Sequence, residues 1–345
     1  MARWAKVVVV TLAVLIGLAG AGFGAAALYA GHVEGEVARD DILGRAAALP
    51  RITEAPEYVI VTGPSRAPSD ALAGAGTNYL ILGVDTRATW TQEQSRSDTI
   101  MLVHVDATHD HASVVSIPRD SHVYIPPVPG RWPGGKTKIN SAYAWGGAPL
   151  MLQVVSHLTG LAIDHVVRVD FAAIRKITDI VGGVDVQVRK AVTDGRTGYR
   201  FHAGVNHLDG KRAEIYVRQR YGLAQGDFDR VKRQQQYLRA LGDRILSMGV
   251  LANPMRLTSL LSEVAKALVV DAGLDLTATA RRLSGLRPDD LHYTTIPSTG
   301  FVRTAAGTAN RLDTAGCREL FLALRADTMD TYFRRHPGYQ AVSGS

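Results

Sequence analysis

"NYLILGVD", Asn78–Asp85, and "TIMLVHVDA", Thr99–Ala107, decide the fold class. Both are short runs rich in branched apolar residues, and both are apolar at successive as well as alternate positions. That is the pattern of a strand covered on its two faces. Such strands need helices around them, and the chain supplies helical patterns in alternation with further strands. "ASVVSIP" (Ala112–Pro118), "HVVRVDF" (His165–Phe171) and "VDVQVRKAV" (Val184–Val192) read as strands. "APLMLQVVSHLTGL" (Ala148–Leu161), "FAAIRKITDIVGG" (Phe171–Gly183) and "DRVKRQQQYLRALGDRILSMG" (Asp229–Gly249) read as helices, the last two ending on glycine. The expected architecture is α/β, a layered α-β-α domain around a central mixed sheet.

Towards the C-terminus, "MRLTSLLSEVAKALVVD" (Met255–Asp271), "DLTATARRLSGL" (Asp275–Leu286) and "TAGCRELFLALRAD" (Thr314–Asp327) are expected helices, with "LHYTTIP" (Leu291–Pro297) as the last strand. The pattern fades after Tyr332, so residues 332–345 are expected to form a flexible tail and residues 77–331 the folded domain. Residues 32–76 contain repeated Pro, Gly, Ser and Ala after "VEGEVARDDILGRAAAL", which predicts a short stalk helix and a linker.

The N-terminus predicts export. Val7 to Gly31 is a run of 25 residues without a charge, long enough as a helix to span a hydrocarbon core of about 30 Å. Arg3 and Lys6 precede it, and Glu34, Glu36, Asp40 and Asp41 follow, so residues 1–6 are expected in the cytoplasm and the rest outside. A cleavable signal peptide is the competing reading, given the small residues Ala25–Ala27, but the apolar run exceeds the ~7 to 15 residues of a signal core. The single cysteine, Cys317, excludes an internal disulfide framework and a thiolate metal site. A net charge of +7 favours an anionic partner. Export turns that partner away from nucleic acid and towards anionic lipid or a phosphorylated substrate.

The candidate chemistry lies at strand ends and in one basic segment. Asp85 closes one buried strand and Asp98 opens the next, which suits two carboxylates facing one crevice, and two such acids with water suit Mg²⁺. Either acid is equally at home as a strand terminator or helix cap. Arg119 follows a buried strand and Pro118, where it can meet a phosphate or pair with Asp120 or Asp98. Arg96 has the same ambiguity, and Lys138 precedes a loop-to-helix transition able to hold phosphate. In "YVRQRYGLAQGDFDRVKRQQQ" (Tyr216–Gln236), Arg218 and Arg220 converge on one pyrophosphate only if the segment is extended. Arg230 and Gln234, four apart, share a face of the helix that follows, and Asp227 is placed as its N-cap or as a partner for an arginine. A solvated basic face is the plainer reading of the same charges. His104, His157 and His165 fall in apolar patterns and are expected in the core or at its rim. No HExxH, Gly-x-Ser-x-Gly or P-loop motif offers other chemistry.

Seven ordered motifs, "LGVDTR", "RSDTIMLV", "SIPRDS", "KINSAYAWGG", "VGGVDV", "FHAGVNHLDG" and "RQRYGLAQGDFDRVKRQQ", together resemble the LytR-CpsA-Psr family of cell-wall ligases, from about Tyr79 to Leu246. The resemblance implies a membrane-anchored phosphotransferase that moves a glycopolymer from a polyprenyl-pyrophosphate carrier onto peptidoglycan through a phosphodiester. It implies that Asp85 and Asp98 bind the metal, Mg²⁺ or another divalent ion such as Mn²⁺. It further implies that Arg96, Arg119, Lys138, Arg218, Arg220, Arg230 and Gln234 contact the pyrophosphate, with Asp227 paired to this cluster. Asp98, Arg119, Arg218 and Arg220 are then the catalytic set. A prenyl tunnel is also implied, for which Leu150–Leu161 and Ile174–Val181 are candidate walls, although core packing accounts for them equally. A non-catalytic regulator that binds polyprenyl phosphate, or a polyprenyl-pyrophosphate hydrolase, would carry the same anion site.

Overall fold

The structure is a computed structural model and describes residues 36–52, 76–84, 97–219, 221–223, 227–247, 268–283 and 290–338, together with residues 259–260, 262–263, 265–266 and 286. The expected span at 7–31 and the linker at 53–75 lie outside the described residues, and no helix among the described residues is long and apolar enough to cross a membrane.

The described chain begins with β1 (Ala38–Asp40) and α1 (Ile42–Ala47), which is capped by Asp41 accepting from the Gly44 amide at 3.1 Å. These elements correct the expected stalk: β1 is a strand of the main sheet and Ile42 is fully buried. β2 (Thr77–Val84), β3 (Ser97–Val105) and β4 (Ala112–Ser116) follow as an antiparallel run, with Leu80 opposite Leu102 and Leu102 opposite Val115. Nearly every residue of β2 and β4 is buried, as continuous apolar runs require, and each large side chain so buried contributes about 1.5–3 kcal/mol. β5 (His122–Ile125) and β6 (Gly135–Lys138) form a hairpin that leads into α2 (Asn140–Thr159). Gly147, at φ 65 and ψ −155, breaks α2, and Pro149 sits in the first turn of the restarted helix, where its missing N–H costs little.

β7 (His165–Asp170) and α3 (Phe171–Ile180) are followed by the ribbon of β8 (Val184–Val188) with β11 (Gly204–Leu208), inside which lies the short pair β9 (Val192–Thr193) and β10 (Arg200–Phe201). α4 (Gly210–Arg218), capped by Asp209, and α5 (Asp227–Ser247) follow. β12 (Leu268–Asp271), α6 (Leu276–Leu283), β13 (Leu291–Thr295), the hairpin β14 (Ser298–Thr304) with β15 (Gly307–Leu312), α7 (Thr314–Arg325) and α8 (Met329–Arg335) complete the chain.

Three expectations change here. The end of the run 255–271, expected as helix, is strand β12, because "LVVD" supplies branched residues to an interior position of the sheet. LHYTTIP is not the last strand, since β14 and β15 come after it. The chain does not fray at Tyr332: α8 runs to Arg335 with Tyr332 and Phe333 buried.

The central sheet has seven strands in the order β1-β12-β7-β2-β3-β4-β13, a mixed α/β fold as expected. Two compact units divide the chain, where one domain was expected over 77–331. One holds Val169–Val269 and Leu274–Leu291, the other Arg39–Arg168, Val270–Gly273 and His292–Ser345. The core of the latter unit joins β2, β3 and β4 to α2, α7 and α8, and Leu150, Met151, Val155 and Leu158 are part of it.

α7 is followed by a turn held by charge. Asp327 has φ 52, a left-handed conformation uncommon outside glycine. Its carboxylate meets His104 Nε2 at 2.6 Å and accepts from the Ala107 amide at 3.2 Å, while His104 Nδ1 faces Asn78 Oδ1 at 2.8 Å. Burial raises the Asp327 carboxyl, but these hydrogen bonds outweigh it and hold the group below its ordinary value. A depressed folded value gives stability that is present above the unfolded value of about 3.9 and is lost as pH falls through the folded one. Asp327→Asn is therefore expected to lower the thermal midpoint at neutral pH, with the gap from wild type closing as pH drops below about 4. Unfolding curves between pH 3 and 7 check this.

Candidate functional site

Two groups of cations stand on rigid elements, one in each unit. In the unit built on the central sheet, Pro118 ends the strand run after β4 and a tight turn follows, with Ser121 N and Ser121 Oγ both donating to Pro118 O at 2.9 and 2.7 Å. This turn carries Arg119 and Asp120, which are only 8% and 9% exposed. Its backbone is fixed on both sides: Asn140 N donates to Arg119 O at 3.1 Å, and Asn310 N of β15 donates to Asp120 O at 2.8 Å. The Asp120 carboxylate lies 3.2 Å from Lys138 Nζ and 3.8 Å from Arg119 Nε. Two cations thus share one acid. Arg119 and Lys138, both expected at the site, are brought together, and Arg119 does pair with Asp120.

In the other unit the basic segment is organised by α4 and α5. Arg218 is the last residue of α4, and the backbone turns extended only at Gln219, with φ −62 and ψ 131. The condition of an extended segment is not met at Arg218, which ends the helix and pairs with its i−4 neighbour Glu214 at 2.6 Å. Glu214 also pairs with Arg175 of α3. On α5, Arg230 and Gln234 lie on one face as expected, and both are buried, at 1% and 5% exposure. Gln234 Nε2 donates to Val217 O at 3.3 Å, satisfying a carbonyl that the end of α4 leaves open.

Between them stands Arg233, 8% exposed. Its guanidinium carbon lies 4.4 Å from the Tyr216 ring centre and 5.2 Å from that of Phe201, and Nη1 donates to Gln219 Oε1 at 2.5 Å. Burial lowers its pKa, against the attraction of Tyr216, Asp229 and Asp194. Burial likewise pushes the Tyr216 phenol up to about 12, so the ring stays neutral beneath the cation.

Of the other expected residues, Asp85, Arg96 and Arg220 lie outside the described residues, as do the side chains of Asp98 and Asp227. The backbone of Asp227 is the first residue of α5. Asp98 lies in β3 where the register shifts, Ser97 pairing with Val84 and Thr99 with Gly83, a bulge at the end of the strand that Asp85 follows in sequence. Two hard carboxylate donors from such neighbouring strands are chemically suited to Mg²⁺. Among the described residues no group of three or more His, Cys, Asp or Glu side chains could hold a metal ion; His104 is buried, and His157 and His165 are half-buried, at the expected core or rim positions.

Residues 62–316 match the model of the LytR_cpsA_psr family. The chain belongs to that family. It is 32% identical over 280 residues to the cell wall biosynthesis protein LcpA of Corynebacterium glutamicum, covering 69% of this chain and 53% of LcpA. It is 35% identical over 191 residues to the polyisoprenyl-teichoic acid–peptidoglycan teichoic acid transferase TagV of Bacillus subtilis, covering 54% of this chain and 48% of TagV. The crystal structure of B. subtilis TagV superposes with a TM-score of 0.59 at 26% identity, covering 75% of this chain and 99% of that one. The chain thus spans about half the length of the curated relatives it matches.

Three side chains of this LytR_cpsA_psr protein bear on the site without having been singled out in sequence, Glu214 behind Arg218, Gln219 and Arg233, while Asp120, expected only as a partner of Arg119, also meets Lys138. Glu214 alone carried a usable signal, an acid four residues before an arginine in a helix. Asp120→Asn would leave Lys138 and Arg119 facing each other with their shared charge gone. It is expected to lower unfolding free energy by about 1–3 kcal/mol, and millimolar inorganic pyrophosphate should restore part of the loss by supplying the missing negative charge. Denaturant titration with and without pyrophosphate measures both effects.

Proposed function

We propose that this protein is a phosphotransferase that moves a glycopolymer from a polyprenyl-pyrophosphate carrier to peptidoglycan, forming a phosphodiester. The match of residues 62–316 to the LytR_cpsA_psr family carries the reading. It is supported by the printed activity of TagV, a polyisoprenyl-teichoic acid–peptidoglycan teichoic acid transferase, and by buried cations held in place without a ligand. The protein is proposed to work outside the cytoplasmic membrane, anchored by residues 7–31.

The transfer is an attack of an acceptor sugar hydroxyl on the phosphorus that bears the glycopolymer. A new P–O bond forms, the P–O–P bridge breaks, the hydroxyl proton is lost and prenyl phosphate leaves. Negative charge grows on the bridging oxygen, where fixed guanidinium donors stabilise it more than they stabilise the ground state. Arg119, Lys138, Arg218, Arg220, Arg230 and Gln234 are proposed to contact the pyrophosphate, with Arg96 and Asp227 completing the set. Arginine suits this work because it stays charged and donates in a planar fork matched to phosphate oxygens. Asp85 and Asp98 are the residues that would hold a divalent cation, Mg²⁺ by donor chemistry, which when bound would neutralise phosphate oxygens.

The full chain incubated with a prenyl-pyrophosphate saccharide, a peptidoglycan acceptor and Mg²⁺ is expected to release prenyl monophosphate and yield a phosphodiester-linked glycan. Unchanged substrate would mark a binder, and hydrolysis without linkage a pyrophosphatase; either result overturns the transfer. Arg119→Ala and Arg218→Ala should each lower the rate by about 10²–10³-fold with the fold intact, read as prenyl phosphate release beside a circular dichroism melt.

A further inference from the structure

We infer that Arg233 is a positioning residue: set against the rings of Tyr216 and Phe201, it fixes Gln219 and thereby the course of the chain as it leaves Arg218. The inference rests on the reading of Arg218 as a pyrophosphate ligand.

The end of α4 is the weak point of this part of the fold. The helix stops at Arg218 without a glycine cap, and the chain leaves in an extended conformation at Gln219. Something outside α4 must define that exit. The Gln219 side chain, 1% exposed, does so at both ends, accepting from Arg233 and donating through Nε2 to Tyr221 O at 3.1 Å. Its buried amide is engaged at both the oxygen and the nitrogen, so the Tyr221 carbonyl is tied to the position of the Gln219 side chain. Gly222 closes the turn at φ 86, so close to Thr193 O that a Cβ there would lie 2.7 Å from it.

Arg233 is built to hold this turn. Its two ring contacts and its bond to Gln219 occupy the guanidinium face and edge at once. A lysine ammonium cannot stack its plane and donate in that plane together. The same residue is on α5, one turn from Arg230 and next to Gln234, so the helix that presents those side chains also sets the course of the chain beside them.

Two variants of the full chain test the clamp. Arg233→Lys keeps the charge and loses the planar contacts; Gln219→Leu keeps the stack and removes the acceptor. Both are expected to raise amide hydrogen exchange at 219–222 by at least about tenfold, with exchange in the β8–β11 ribbon unchanged. Both should lower kcat/KM for prenyl phosphate release by roughly 100-fold, as a misplaced ligand does. In an Arg218→Ala background neither should cost anything further, because the residue acts through the arginine it positions. Losses that multiply independently in the double variants, or unchanged exchange at 219–222, overturn the inference. If wild type releases no prenyl phosphate, the functional reading falls instead. Exchange at 219–222 and the affinity for inorganic pyrophosphate then still decide whether the clamp orders an anion site.

Discussion

A guanidinium removed from water must be held by groups the fold supplies, since it cannot shed its proton to escape the desolvation cost. Arg119, Arg230 and Arg233 are all at least nine-tenths buried, and the local structure around the basic residues follows from that constraint. Arg119 is answered by a carboxylate one residue away on a turn whose backbone is fixed on both flanks. Arg233 is answered by two aromatic faces and a glutamine. Arg218, less buried, is answered by an acid one helical turn earlier on its own helix.

These answers differ in what they leave for a ligand. Aromatic rings and amides hold a cation without cancelling its charge, whereas a carboxylate cancels it. Asp120 faces two cations and Glu214 pairs with both Arg218 and Arg175, so each acid is outnumbered. Each group thus has its cationic side chains held still. Fixing the donors before the ligand arrives means that little reorganisation is required when charge develops on a phosphate oxygen.

Much of the fold was legible because its strands obey period and composition closely. β2, β3, β4 and β7 were all found within a residue or two, β8 was found but ends four residues before the expected Val192, and α3 was recognisable from the glycines after it, at positive φ in Gly182 and Gly183. β12 was missed because an apolar run of four joined to a helical pattern looks like more helix until the sheet claims it. The hairpin of β14 and β15 was missed because its residues alternate exposed and part-buried without a strong apolar face. At the site, the shared face of Arg230 and Gln234 was read correctly from their spacing. The partnership of Asp120 with Lys138 joins residues 18 apart across a hairpin, which no local pattern encodes. The exit of α4 was left open because a charged pair at i and i+2 says nothing about where a helix stops.

The buried face of α5 argues most directly that this region serves a ligand as well as stability. Arg230, Arg233, Gln234, Tyr237 and Leu241 recur at helical spacing, and all five are buried. A helix that only had to pack would carry leucine or valine at the first three of these positions, with no desolvation to offset and no hydrogen bonds to complete. Instead Gln234 closes a carbonyl at the end of α4, Arg233 fixes Gln219, and Tyr237 settles its hydroxyl on Thr178 at 2.7 Å. Directional bonds from one stripe constrain the arrangement of the neighbouring chain, which an apolar stripe would leave looser. A site that must present charged donors at fixed positions to a doubly charged head group needs that specificity, and the α5 stripe is the part of the sequence that provides it.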